Sequence, residues 1–286
     1  MNTGERADGF HWRIAAEGEH SPADVLITTD AGRLYRAQQE GQLATTESDT
    51  LAEQVPEALR DPEGHWYGLS VRARVVVYAP DRVDPSELST YEALADEKWD
   101  DRICIRSSDN IYNQSLVGSL IAAHGEEGAE KWCRGLVANL ARVPQGGDRD
   151  QIKAVAAGEG DVAVANSYYF ARMLNGTDEE KAAAAKVAVV FPNQGGRGAH
   201  VNLSGIGVCA NAPNKANAIR FIEYLTGEAA QEVFAAGNNE YPVVSGVKTV
   251  PALKAFGAFK EDKVNAAVFG KNNAAAIRIM DRAGWR

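Results

Sequence analysis

Short β-branched runs alternate with amphipathic stretches along most of the chain, and this alternation limits the fold more than any other feature. DVLITT (24–29) predicts a buried strand, and DAGRLYRAQQEGQL predicts a helix closing on Gly41. VRARVVVY (71–78) predicts a strand stopped by Pro80, and STYEALADEKW a helix with Ser89 as its N-cap. RICIRS (102–107) reads as a strand before a helix through SLVGSLIAAHG. QIKAVAAGEG reads as a helix ending in glycines, DVAVANS (161–167) as a strand running into YYFARML, and KVAVVFP (186–192) as a further strand. EEKAAAAK (179–186) reads as an exposed helix or turn, and 213–286 as mainly helical, with a last helix near 260–282. Strands alternating with helices predict an α/β fold with mostly parallel sheets. Strands at 71–78 and around 201–208 bracket a self-contained block. That suits two lobes joined by a pair of crossing strands, with the ligand in the cleft between them.

At 286 residues the chain is long enough for two compact units, and its 45% hydrophobic and 24% charged residues are those of a globular protein. A net charge of −9 argues against a nucleic-acid partner and against adsorption to an anionic membrane. No apolar run approaches the ~20 residues that span a bilayer. MNTGERADGFHWRI has no apolar stretch of the signal-peptide kind, so the chain as given carries no export signal. Cys104, Cys133 and Cys209 lie far apart, which favours buried thiols over a disulfide framework or a zinc site. The five histidines show no HxxxH or HExxH spacing. GGRGAHVNLSGIGV (195–208) lacks phosphate-loop spacing and reads as a source of hinge freedom. With no GxSxG and no cysteine near a histidine, enzymatic chemistry has no visible anchor.

The most informative local sequence is NSYYFARM (166–173), where Tyr168 and Tyr169 follow an apolar strand and open a helix. Adjacent helical residues differ by about 100°, so two such phenols lean toward one point only at an element's end. That is where an α/β sheet presents its ligands. Ferric iron favours hard oxygen donors, and phenolate is one, although the group must lose a proton whose free pKa is about 10. The pair by itself reads more readily as core aromatics, beside Phe170, with surface hydroxyls. Tyr112, in RSSDNIYNQSL, sits among polar residues at a loop or helix start. Arg72 and Arg74 share one strand face, and Arg172 shares a helix face with both Tyr168 and Tyr169. Three phenolates neutralise Fe³⁺, so any further anion would need one of these cations; a surface salt bridge is the other reading. Asp30 ends the first strand, a place for a cleft residue and also for the N-cap of the next helix.

SPADVLITTDAGRLYRA, WYGLSVRARVVVY, IRSSDNIYNQSLV, GEGDVAVANSYYFAR, FPNQGGRGAHVNLSGIGV and NKANAIRFIEYLTGEAAQ together resemble the ferric-iron substrate-binding proteins of bacterial ABC transporters. The similarity runs from about residue 15 to the C-terminus. It implies a two-lobed periplasmic binding fold of type II, with lobe 1 over 1–74 plus 199–249 and lobe 2 over 75–198 plus 250–286. It implies a monomer that is not an enzyme, binds Fe³⁺ with or without a synergistic anion such as carbonate, and hands it to an inner-membrane permease. Tyr112, Tyr168 and Tyr169 match the family's metal-binding tyrosines, Arg72 and Arg172 match arginines beside the site, and Asp30 falls where some members carry a carboxylate ligand. Members open with a signal peptide and a strand bearing a His or His-Tyr pair. Nothing in MNTGERADGFHWRIAAEGEH matches it, so the first lobe is expected to lack its opening strand–helix–strand unit. Other readings are a two-lobed receptor for a small anion or polyamine, a fragment that binds nothing, and a small α/β enzyme.

Overall fold

The structure, a computed structural model, describes residues 11–286. The stretch 1–10, on which the reading of an absent export signal mainly falls, lies outside them. The strands are β1 (Val25–Thr29), β2 (Tyr67–Tyr78), β3 (Ile103–Cys104), β4 (Val162–Asn166), β5 (Ala188–Val190), β6 (Val201–Val208) and β7 (Tyr241–Pro242). Among them run helices α1 (Ala31–Gln39), α2 (Asp49–Gln54), α3 (Ile111–Ala138), α4 (Asp148–Ala157), α5 (Ser167–Leu174) and α6 (Asp178–Ala184). The later helices are α7 (Lys215–Leu225), α8 (Glu228–Asn238), α9 (Pro251–Lys254), α10 (Ala267–Lys271) and α11 (Asn273–Arg282). No helix among the described residues is long and apolar enough to cross a membrane.

The chain divides into two compact units: Met1–Val71 with Asn202–Thr249 and Val264–Lys271, and Arg72–Val201 with Val250–Lys263 and Asn272–Arg286. Both β2 and β6 pass from one unit into the other. In the first unit β1 pairs antiparallel with β6, Val25 opposite Val208 and Thr29 opposite Ser204, and β7 pairs with the start of β2. In the second unit β2 pairs antiparallel with β4, Arg74 opposite Asn166, and with β5, while β3 lies parallel to β4. The expectation of mostly parallel sheets is therefore corrected. Parallel neighbours need a crossover on one side of a sheet. Here β2 is a long strand that leaves one unit for the other, and its partners run back against it.

The second unit's core is aromatic. Tyr91, Leu94, Trp99 and Trp285 are almost wholly buried, with Trp132 and Trp285 packed at 6.2 Å between ring centroids. The long helix α3 is broken at Gly125, whose φ of 73° and ψ of 173° are not helical. The helix expected in STYEALADEKW is instead two 3-10 turns, Glu92–Ala95 and Glu97–Trp99. The reason lies in its carbonyls. Trp132 Nε1 donates to Tyr91 O at 2.7 Å, and Asn139 Nδ2 donates to Leu94 O at 2.9 Å and Asp96 O at 2.8 Å. Side chains from α3 and its C-cap take the acceptors that a continuous helix would use itself. The three cysteines are buried free thiols, and burial raises Cys133 to about 12 and Cys209 to about 11.

Candidate metal centre

The candidate tyrosines all lie in the second unit, at the N-terminal ends of two helices. Tyr112 is the second residue of α3, where the N-cap side chain of Asn110 accepts its backbone N–H at 3.2 Å. Tyr168 and Tyr169 are the second and third residues of α5, which begins as β4 ends. The hydroxyl of Ser167 accepts from Ala73 N at 3.3 Å, which ties that junction to the neighbouring strand β2. All three phenols stand on the first turn of a helix, where the helix dipole favours negative charge.

From these two ends the side chains converge. Tyr168 Oη donates to Tyr112 Oη at 3.4 Å, and the Tyr168 and Tyr169 rings lie 4.2 Å apart at 34°. Tyr168 is 6% exposed, whereas Tyr112 and Tyr169 are half-buried. The expectation that adjacent phenols meet only at an element's end holds here, because the first turn of α5 gives them room.

Guanidinium groups surround the cluster. Arg72 stands 5.3 Å and Arg106 5.9 Å from the Tyr112 ring centroid, Arg172 4.9 Å from that of Tyr168, and Arg149 6.0 Å from that of Tyr169. Arg74, on the same strand face as Arg72, reaches away to the fully buried Asp148, at 2.7 Å from Nη1 to Oδ2. Asp148 Oδ2 also accepts Asn166 N at 2.7 Å, and its Oδ1 faces Arg106 Nη1 at 3.5 Å.

Burial is the main cause that raises the Tyr168 and Tyr169 hydroxyls above the usual tyrosine value. At Tyr168 the Tyr112 and Tyr169 phenols and Asp148 add to the rise and Arg72 opposes it; at Tyr169 Asp148 and Tyr112 add to it, while a hydrogen bond with Tyr168 and the charge of Arg106 oppose it. For Arg106 burial alone would lower the value, but Asp148 and the three tyrosines raise it above the ordinary guanidinium range. Without a cation both tyrosines are therefore neutral at pH 7. A trivalent metal is the kind of charge that displaces such protons.

Asp30 lies in the first unit, fully buried, and acts as the N-cap of α1: Oδ1 accepts Gly32 N at 2.8 Å and Oδ2 accepts Asn202 Nδ2 at 2.9 Å. Among the described residues one other group gathers metal-ligand atoms, Asp61, Glu63 and His65 in the first unit. There His65 Nδ1 and Asp61 Oδ2 meet at 2.8 Å, a hydrogen bond that holds the turn around Gly64. Sequence reasoning missed Asp148, Asn113, Arg106 and Arg149. Asp148 resembled an ordinary acidic first-turn residue, and only its opposition to Arg74 across the fold marks it out.

The fold is mixed α/β with a phenol cluster at two helix starts, and the chain belongs to the bacterial extracellular solute-binding protein family, whose model matches residues 20–265. It is 50% identical over 282 residues to iron uptake protein A1 of Synechocystis sp., covering 98% of this chain and 78% of that protein. Its fold matches the Trichodesmium protein described as IdiA (FutA) in complex with iron and citrate ligands, with a TM-score of 0.97 and 56% identity over 98% of this chain and 89% of that one. A ferric binding protein from Campylobacter jejuni gives a TM-score of 0.92 at 35% identity, with the same two coverages.

Proposed function

We propose that this protein binds ferric iron through Tyr112, Tyr168 and Tyr169 and carries it to the permease of an ABC transporter outside the cytoplasm. The observation that carries the reading is the convergence of three phenols on one point, with Tyr112 and Tyr168 oxygens 3.4 Å apart. Hydroxyls spaced to hydrogen-bond one another need little movement to share an ion at an oxygen–metal distance of about 2 Å. Three phenolates offset the charge of Fe³⁺, while a divalent ion would leave a negative surplus. Arg72 and Arg172 would hold an accompanying anion or temper the charge around the metal. The iron-uptake and ferric-binding relatives support this reading, and nothing in it requires the protein to transform what it binds. The iron is cargo.

Loading with ferric citrate tests the proposal. A ferric–phenolate complex has a visible charge-transfer absorption, so the loaded protein should be coloured after removal of excess iron. A colourless, iron-free product would defeat the reading. The four guanidinium groups within about 6 Å of the tyrosine rings favour a second reading, a receptor for a small anion. A thermal shift with citrate or carbonate alone, unchanged by added iron, would favour that one.

A further inference from the structure

The tyrosines reach their common point from chain positions more than fifty residues apart, and a buried polar network joins the two backbones that carry them. Arg74 stands at its centre. Its Nη1 donates to Asp148 Oδ2 at 2.7 Å and to Asn166 Oδ1 at 3.3 Å, and its Nη2 donates to Asn113 Oδ1 at 2.5 Å. Asn113 follows Tyr112 in α3, and its Nδ2 donates to Arg106 O at 3.0 Å and Ser107 O at 3.1 Å, fixing the approach to that helix. Asn166 precedes Ser167 and Tyr168, and its backbone N–H is held by Asp148. One carboxylate and one guanidinium therefore set the spacing between the start of α3 and the start of α5.

This network is not arranged for stability alone. Arg74, Asn113, Asp148 and Asn166 are all at most 2% exposed. A buried ion pair seldom outperforms well-packed apolar side chains, because desolvation takes back most of the Coulomb gain. Moreover, Arg74 Nε and Asn166 Nδ2 find no acceptor among the described residues, and a buried donor left so is destabilising. What such a pair does provide is a geometry, since any slip of one helix end against the other breaks charged hydrogen bonds.

We infer that Asp148, acting through Arg74, Asn113 and Asn166, is the positioning residue that holds Tyr112 in register with Tyr168 and Tyr169. The inference rests on the ferric-iron reading of this site. Asp148 does not touch the metal; it determines where the phenols stand before the metal arrives. Outer partners of metal ligands typically change affinity by about 10–100-fold when removed.

The test compares wild type, Asp148→Asn and Asn113→Ala after ferric citrate loading. Asn113→Ala unlinks α3 from Arg74 while leaving both buried charges paired, so it guards against a failure of Asp148→Asn to fold. Each protein is measured for its charge-transfer maximum, for ferric affinity by chelator competition, and for its melting temperature without iron. The expected result is a shifted, weaker band and at least about tenfold weaker ferric binding in every folded variant. Folded variants that melt earlier but keep the wild-type band and bind within about twofold would overturn the inference, since a merely structural role moves only the melt. A colourless wild type would instead overturn the ferric reading itself, and the inference with it.

Discussion

Tyr112 Oη and Tyr168 Oη stand 3.4 Å apart, although the residues are 56 positions apart in the chain. The first lies in the opening turn of a long helix, and the second in the opening turn of a short one that begins where a buried strand ends. With the Tyr169 ring tilted against that of Tyr168, they form the group of oxygens on which the proposed function turns.

Tyr169→Phe removes one hydroxyl and little volume. Tyr169 is half-buried and its ring contact with Tyr168 survives the change, so the iron-free melting temperature should move by no more than a few degrees. The visible band of the iron-loaded protein should lose much of its intensity, and chelator competition should show at least about tenfold weaker binding. An unaltered band would remove Tyr169 from the ligand set.

Iron binding should weaken as pH falls. Tyr168 and Tyr169, raised by burial above the ordinary tyrosine value, are protonated in the iron-free protein at neutral pH, so binding through them releases protons. Each proton released contributes about a tenfold change in affinity per pH unit. Titrations between pH 6 and 8, corrected for the chelator's own protonation, should give a slope near two or steeper. A flat profile would contradict phenolate ligation.

His200 makes the fold sensitive to mild acid. Burial pushes its imidazole down to about 3, with Arg74, Arg197 and Arg72 adding to the effect, whereas the unfolded chain titrates near the ordinary 6.5. The folded state therefore binds fewer protons than the unfolded state between those values. The stability it retains above pH 6.5 is lost as pH falls toward 3, by up to about 1.4 kcal/mol per pH unit. Glu92 acts lower. Burial would raise it, but hydrogen bonds from Asn193, His124 and Arg197 bring it to about 2, so its contribution fades below its usual 4.5. Denaturant melts of the iron-free protein at pH 6.5 and 5 isolate the histidine. His200→Gln should reduce the difference between them, and an unchanged difference would rule His200 out as the cause.

Gly198→Ala should be costly. Gly198 has a φ of 101°, and an added Cβ would meet the backbone of Glu261 and Asp262 at under 3 Å. Strain and collision act together, and a loss of at least about 2 kcal/mol in a denaturant melt is expected. Gly195, in the same run, has no atom near its Cβ position, so Gly195→Ala should cost much less. Equal losses at the two positions would refute the steric account. The glycine-rich run thus serves in part for close backbone approach, a role that its composition did not separate from hinge freedom.

Much was legible along the chain because local patterns report local structure. The apolar runs at β1, β4 and β6, the N-cap role of Asp30, and the opening of α5 at NSYYFARM follow from residue order and backbone preference. Tyr112, Tyr168, Tyr169, Arg72 and Arg172 could be singled out along the chain, though each was a weak signal alone and only the family resemblance joined them into one site. Three things were not legible. The broken helix at 89–99 depends on Trp132 and Asn139, distant in sequence, which take its carbonyls. The antiparallel pairing of β2 with β4 depends on where a long strand goes after it leaves its unit. The role of Asp148 depends on meeting Arg74 across a separation of 74 residues. Residue type decides what a side chain can donate, accept or ligate. Only folding decides which of those capacities meet, because a hydrogen bond or a shared metal needs atoms within about 3 Å, and chain order alone sets no such distance.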